Sequence, residues 1–242
     1  MKIKTIPLLL AIIFTGCNKP AERSCLKSNG QMTTLTVNFQ KSFSEISLLD
    51  DLNLILVQDS INFLEIVGPE NLIQLIGMDS SNTELILSNH NKCNFLREKK
   101  QINLYYHYSS LNEIHLFGYG LLTNTNEINH PISIYTDQAF SSINLTLNNT
   151  NTSLYISRGS TDVKLYGNTT NLYCYSSGLA PVKAKNLQTN KAHINSNSIN
   201  TFEVSVSDSL TIELNNYGDV YYHGNPSYTK FTVTGEGEIF NI

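Results

Sequence analysis

Short runs of alternating apolar and polar residues dominate the chain from Leu52 onward. Examples are residues 52–57, 85–87 and 102–105, and each run is followed by Asn, Ser, Thr, Asp or Gly. A two-residue period is typical of β-strands, because successive side chains of a strand point to opposite faces of a sheet. No window offers three turns of apolar residues at helical spacing. The pattern therefore predicts an all-β protein.

The second half of the chain repeats this pattern at a nearly constant interval. Two sets of apolar residues recur every 18 to 21 positions: Leu154, Leu172, Ala192, Leu210 and Phe231, and then Val163, Val182, Phe202, Val220 and Ile239. Such spacing is typical of solenoids, in which coils stack on one another. It predicts a parallel β-helix-like solenoid with coils of about 18–21 residues and two short strands per coil. The alternative is an antiparallel sandwich, which would need tighter hairpin turns.

Small and amide side chains occupy the same place in each repeat, at residues 157–160, 176–178, 195–198, 215–218 and 234–237. Gly and Asn tolerate the cramped backbone that a corner needs. Because stacked coils are about 4.8 Å apart, we expect Asn and Ser side chains to hydrogen-bond in ladders along the stack.

The chain has 242 residues, of which 15% are charged, with 16 Lys and Arg against 20 Asp and Glu. This composition lacks the basic field that a phosphate backbone requires, so we predict no nucleic-acid partner. The six histidines are scattered singly and no Cys-x-x-Cys occurs. We therefore expect neither a metal site nor a cofactor.

The N-terminus has the features of an export signal. Lys2 and Lys4 precede an apolar run at residues 8–14, which is too short to span a bilayer, and Gly16 precedes Cys17. This order resembles a bacterial lipobox, in which the Cys is acylated, and it predicts that Cys17 is the lipidation site. The alternative is an ordinary secretory signal with a chance Cys.

These features divide the chain into a lipoprotein signal peptide at residues 1–16, a polar tether at 17–32 and a β-helical domain at 33–242. Acyl chains on Cys17 would hold the protein on a membrane, so the membrane is an expected partner. The predicted location is the cell envelope, with the protein exported and anchored; the periplasmic and surface faces of the outer membrane both stay open.

Three cysteines remain after Cys17. Cys174 shares strand parity with Leu172, so we expect it to point inward as a small buried side chain. Exported proteins keep disulfides, and by elimination Cys25 and Cys93 are the predicted pair.

Several segments resemble the putative auto-transporter adhesin head domain, also called the GIN domain. They are FSEI at 43–46, LILVQ at 54–58, GPENLI at 68–73, TELIL at 83–87, SLNEI at 110–114, GYG at 118–120, VYYHGNP at 220–226 and TGEG at 234–237. NKCNFLR at 91–97 further resembles a lipoprotein subgroup common in Bacteroidetes. The resemblance implies an exported β-helical domain and supplies no catalytic residues.

Function classes can be compared on the polar and aromatic residues. A polysaccharide-active enzyme would need converging carboxylates, whereas Asp162 and Asp219 lie three predicted coils apart, or about 14 Å. We therefore predict that the protein is not an enzyme. Tyr155, Tyr173 and Tyr175 are expected on the outer sheet, where they form a candidate binding surface for a glycan or an envelope protein. A purely structural envelope scaffold is the alternative, since Tyr also favours strands for packing reasons.

Overall fold

The computed structural model describes residues 28–92 and 98–242, which form a β-solenoid of about 6 turns with 65% strand and 2% helix. The predicted fold class is confirmed. The elements are β1 (Met32–Asn38), β2 (Glu45–Asp51), β3 (Asn53–Gln58), β4 (Phe63–Pro69), α1 (Glu70–Ile73), β5 (Ile76–Ser80), β6 (Glu84–Asn89), β7 (Asn103–Tyr108), β8 (Glu113–Asn124), β9 (Ile132–Thr136), β10 (Phe140–Ile156), β11 (Asp162–Ser176), β12 (Val182–Ser196), β13 (Phe202–Leu214), β14 (Val220–His223), β15 (Tyr228–Val233) and β16 (Ile239–Asn241).

The coils form two parallel faces. Face A contains β7, β3, the end of β8, the first halves of β10 to β13, and then β14 and β16. Face B contains β6, β2, the start of β8, β9, the second halves of β10 to β13, and then β15. Each coil therefore crosses from one face to the other and back, and the apolar core lies between the faces.

The predicted repeat matches the observed register. Val163, Val182, Phe202, Val220 and Ile239 form one column of paired residues on face A. Leu172, Ala192 and Leu210 form a column on face B, and all three are buried. Leu154 pairs with Cys174, and Phe231 pairs with Ile212, so each lies two residues along its strand from the column predicted for it. Parity is unaffected by a two-residue step, so both still face inward.

Main-chain pairing continues through the corners of the central coils. The two strands predicted for each coil therefore join into single strands of 17, 15, 15 and 13 residues in β10 to β13. In β11 the corner lies at Gly167, whose φ is +92°, and a Cβ there would lie 2.1 Å from the Leu147 carbonyl oxygen. Only glycine fits this corner, because any side chain would collide with the coil below.

Side-chain ladders run along the stack, as expected. The Asn171 amide donates to the Asn151 side-chain oxygen at 3.0 Å, and that of Asn215 donates to Asn195 at 3.2 Å. The Ser198 hydroxyl donates to the Gly178 carbonyl oxygen at 2.8 Å. Amide and hydroxyl corners thus satisfy polar groups on the neighbouring coil.

Antiparallel strands cover the N-terminal end of the stack. On face A, β4 pairs antiparallel with β7, and β1 pairs antiparallel with β4. On face B, β5 pairs antiparallel with β6. These strands complete the hydrogen bonding of the first coil edges, which would otherwise be open for pairing with another chain.

Other sequence expectations concern the cysteines and the membrane. Cys174 is fully buried with a free thiol, and burial raises the pKa of that thiol. Cys17, Cys25 and Cys93 lie outside the described residues. No helix within the described ranges has the length and apolar character needed to cross a membrane.

The inward column predicts a sharp contrast between neighbouring substitutions. Leu210→Asp buries an unpaired carboxylate, which costs several kcal/mol, whereas Thr211→Asp places the charge on the outer face. We expect Leu210→Asp to abolish cooperative unfolding in urea and Thr211→Asp to shift the free energy of unfolding by less than about 1 kcal/mol. Equal losses in both variants would contradict the assigned orientation of β13.

Candidate binding surface

Five rings follow one another along the outer side of face B. We call His115, Tyr135, Tyr155, Tyr173 and His193 the aromatic row. Their successive centroids are 4.8, 4.7, 5.3 and 5.3 Å apart. Each ring comes from a different coil, so the row extends across five successive strands of the stack.

The register of face B positions these rings. His115, Tyr135 and Tyr155 are directly paired partners in neighbouring strands, so their side chains share one outward column. The register partner of Tyr155 in the next coil is Tyr175, while Tyr173 pairs with Ser153. The row therefore moves two residues sideways at Tyr173.

Ring orientation changes at the same point. The planes of His115 and Tyr135 differ by 8°, and those of Tyr135 and Tyr155 differ by 4°, so neighbouring rings cover one another's faces. The Tyr155 and Tyr173 planes differ by 45°, and the Tyr173 and His193 planes differ by 87°. A sugar stacks on the face of an aromatic ring, so the part of the row beyond Tyr155 is the better platform.

A groove of about 300 Å³ opens beside Tyr173. We call it the Tyr173 groove; its lining includes Asn151, Asn171, Tyr173, Lys191, His193 and Thr211. The volume of this groove is at the lower end of the range for small-molecule sites. Its aromatic ring lies beside amide and hydroxyl groups, a combination suited to a polar ligand that also has apolar faces.

A second groove of about 340 Å³ lies at the other end of the row, where it is lined by His115, Phe117, Tyr135 and Tyr155 together with Asp137 and Arg158. The Arg158 guanidinium donates to both carboxylate oxygens of Asp137, at 2.9 and 2.8 Å. This hydrogen bonding lowers the pKa of Asp137. The two charged groups are hydrogen-bonded to each other. The surface that this groove leaves for a ligand is therefore mainly the edges of the aromatic rings.

Acidic side chains hold the histidines at each end of the row. His115 Nε2 lies 3.4 Å from Glu113 Oε2, and His193 Nε2 lies 3.0 Å from Glu213 Oε1. The Asn195 amide donates to the other Glu213 oxygen at 2.9 Å. These contacts orient both imidazole rings relative to the tyrosines between them.

Partial burial raises the pKa of two tyrosines in the row. Desolvation, with a smaller contribution from Glu113, raises the pKa of Tyr135. Desolvation also raises the pKa of Tyr173, and Tyr155 adds to the shift. Phenols are protonated at neutral pH even without such a shift, so these two hydroxyls can donate or accept hydrogen bonds.

Two of the three sequence-selected tyrosines are in contact. Tyr155 and Tyr173 lie next to each other in the row, and Tyr175 continues the register column of Tyr155, between Tyr155 and Asn195. Sequence reasoning missed the other members of the row. Residues 115, 135 and 155 are each 20 apart, so extending the repeat toward the N-terminus could have found His115 and Tyr135.

Chemically reactive groups are spread along the stack. Asp162 and Asp219 lie three rungs apart, or about 14 Å, whereas glycosidase carboxylates are at most about 9.5 Å apart. Among the described residues, no three His, Cys, Asp or Glu side chains are grouped so that they could hold a metal ion.

The fold and this surface define a parallel β-solenoid with an aromatic outer face. Residues 42–226 match the family described as "Putative auto-transporter adhesin, head GIN domain". Because the match covers more than half of the chain, the protein belongs to this family, as the sequence resemblance indicated.

Solved structures with the same fold come from Bacteroidetes. A putative adhesin from Bacteroides fragilis is 23% identical, with a TM-score of 0.78, and the match covers 88% of this chain and 97% of that one. A putative adhesin from Parabacteroides merdae is 15% identical, with a TM-score of 0.63 and coverage of 89% and 98%. A putative lipid binding protein from Parabacteroides distasonis is 17% identical, with a TM-score of 0.61 and coverage of 89% and 98%. A search of curated proteins found no match.

Proposed function

We propose that this protein is a lipid-anchored cell-envelope module that binds glycans without catalysis, through face B at Tyr155, Tyr173 and Tyr175. The observation that carries the proposal is the aromatic row and its change of orientation beside the Tyr173 groove. Family membership supports an adhesion-like role at the envelope or cell surface.

The chemistry of the Tyr173 groove supports a saccharide ligand. A tilted tyrosine ring offers an apolar surface for the C–H face of a pyranose. Lys191 lines the same groove and supplies donors for hydroxyl or carboxylate groups. Glycans are long, and the groove extends over strands of several coils, so one chain could contact consecutive sugar units.

A structural scaffold is the second candidate function. It is supported by the Asn and Ser ladders, which stabilise the stack without any ligand. In this case the tyrosines would only shield the sheet, and an envelope protein rather than a glycan would be the partner. Measured glycan binding distinguishes the two functions.

We expect the purified protein to bind members of a glycan array and Tyr173→Ala to weaken that binding by about tenfold, or ~1.4 kcal/mol. Loss of the ring removes the stacking surface but no buried core group. Tyr217→Ala is the matched control, because Tyr217 is 63% exposed at a corner and should bind like the wild type. Absence of binding across the array would rule out the glycan proposal and favour the scaffold.

Lipidation of Cys17 is the proposed means of membrane attachment. The basic start, the apolar run and the Gly16-Cys17 pair support it. We expect Cys17→Ser to move the protein from the membrane fraction to the soluble fraction, because multiple acyl chains provide the anchor. Fractionation and immunoblotting measure the change, with Cys174→Ser as a control that should stay on the membrane. A Cys17→Ser protein that remains wholly in membranes would refute the anchor.

A Cys25–Cys93 disulfide is proposed because the third candidate, Cys174, is buried and its raised pKa disfavours the thiolate. The link would close a loop of nearly 70 residues and stabilise the fold by about 4 kcal/mol in the chain-entropy model. Non-reducing peptide mapping should recover residues 25 and 93 in one crosslinked species. Recovery of Cys174 in a disulfide would overturn the pairing.

A further inference from the structure

The C-terminal end of the solenoid has two strand edges with no strand on them in the described part of the chain. β15 pairs with β13 along one edge, and β16 pairs with β14 along one edge. All six residues of β15 are exposed. Unpaired N–H and C=O groups along such an edge can pair with another strand.

Apolar side chains of the core column also reach this end. Phe231 lies over Ile212 and Val233 lies over Leu214 in the parallel register. Ile212 and Leu214 are fully buried, whereas Phe231 is 41% and Val233 is 49% exposed. The last coil therefore carries inward-facing residues that no other described coil covers.

The opposite end shows how this fold covers a coil edge. There β4 adds antiparallel to β7, with Leu64 paired to Tyr106 and Ile66 paired to Leu104, and all four side chains are fully buried. A coil edge of this solenoid thus accepts an antiparallel strand and gains a completed core.

We propose that β15 pairs antiparallel with β15 of a second copy, about a two-fold axis at Phe231, so that two solenoids join end to end. In this register Phe231 faces its counterpart, and Thr229 faces the partner's Val233, so inward side chains meet inward side chains. Lys230 is the only charged residue of β15, and it faces the partner's Thr232. No like charges therefore lie directly opposite each other.

The side chains of β15 favour a second copy as the occupant, because Phe231 and Val233 need an apolar partner and the same strand of another copy supplies one. Ser28 lies at the N-terminal end, where its carbonyl oxygen accepts from the Asn71 amide, about 6 turns or ~29 Å from β15. The edge is self-complementary, as a two-fold interface requires.

Pairing of β15 with β15 of a second copy would give the protein a self-binding contact in addition to the proposed glycan binding. If Cys17 anchors the chain, which rests on the proposed function, then the tether enters at the N-terminal end and β15 lies at the end far from the membrane. Two copies joined at β15 would have their anchors at opposite ends, so they would connect two facing membranes.

Sedimentation velocity of the full chain over about 1–300 µM tests the self-association. We expect a reversible dimer, and we expect Phe231→Glu to weaken it at least tenfold, because two carboxylates would meet at the axis. Tyr217→Glu places the same charge on another exposed aromatic residue and should leave the dimer unchanged. Thermal melts check folding, which should be retained because Phe231 is partly exposed.

Disulfide trapping tests the register. Phe231→Cys should give a covalent dimer under oxidising conditions, whereas Thr229→Cys should not, since the two copies of residue 229 lie four residues apart in the paired strands. The parent chain provides the background of its own cysteines. Equal trapping at both positions, or a wild-type chain that stays monomeric over the whole range, would overturn the proposal. Neither result bears on the Tyr173 or Cys17 measurements.

Discussion

The structure depends on parallel main-chain pairing between successive coils. This pairing holds equivalent residues of neighbouring coils about 4.8 Å apart, so any side chain repeated at the coil period becomes part of a column. The buried column of Leu172, Ala192 and Leu210, the Asn151 to Asn171 ladder and the stacked rings of face B all follow from it. One geometric constraint thus supplies the core, the corners and the outer surface.

In this stack the aromatic rings of neighbouring coils lie close together, whereas the candidate carboxylates of Asp162 and Asp219 do not. Groups at the same position of different coils are spread along the stack, as the three-rung separation of Asp162 and Asp219 shows. Rings at the same spacing instead give a long surface, on which Tyr135 and Tyr155 cover each other while Tyr173 turns away. The family assignment to adhesin head domains agrees with a surface of this kind.

The ends of the stack differ from its middle, because each end coil lacks a neighbour on one side. Antiparallel strands β4 and β5 cover the first coil at the N-terminal end, whereas the last coil ends in β15 and β16, which have no strand on their outer edges in the described part of the chain. The outer face and the open end are separate surfaces of one molecule. A ligand on face B and a second copy on β15 could therefore be bound together.

The sequence by itself determined the all-β class, the coil length and the inward orientation of residues such as Cys174. Both the two-residue period of the strands and the 18–21-residue repeat can be read directly from the order of apolar and polar residues. Only the tertiary structure decided which outward residues meet. Tyr155 lies level with Tyr175 but contacts Tyr173, and His115 and Tyr135 continue the row into the coils that sequence reasoning left out. Which residues of neighbouring coils pair depends on the length of each corner and on where the main-chain pairing shifts, as it does between Lys164 and Tyr166. The alternation of apolar and polar residues predicts neither of these.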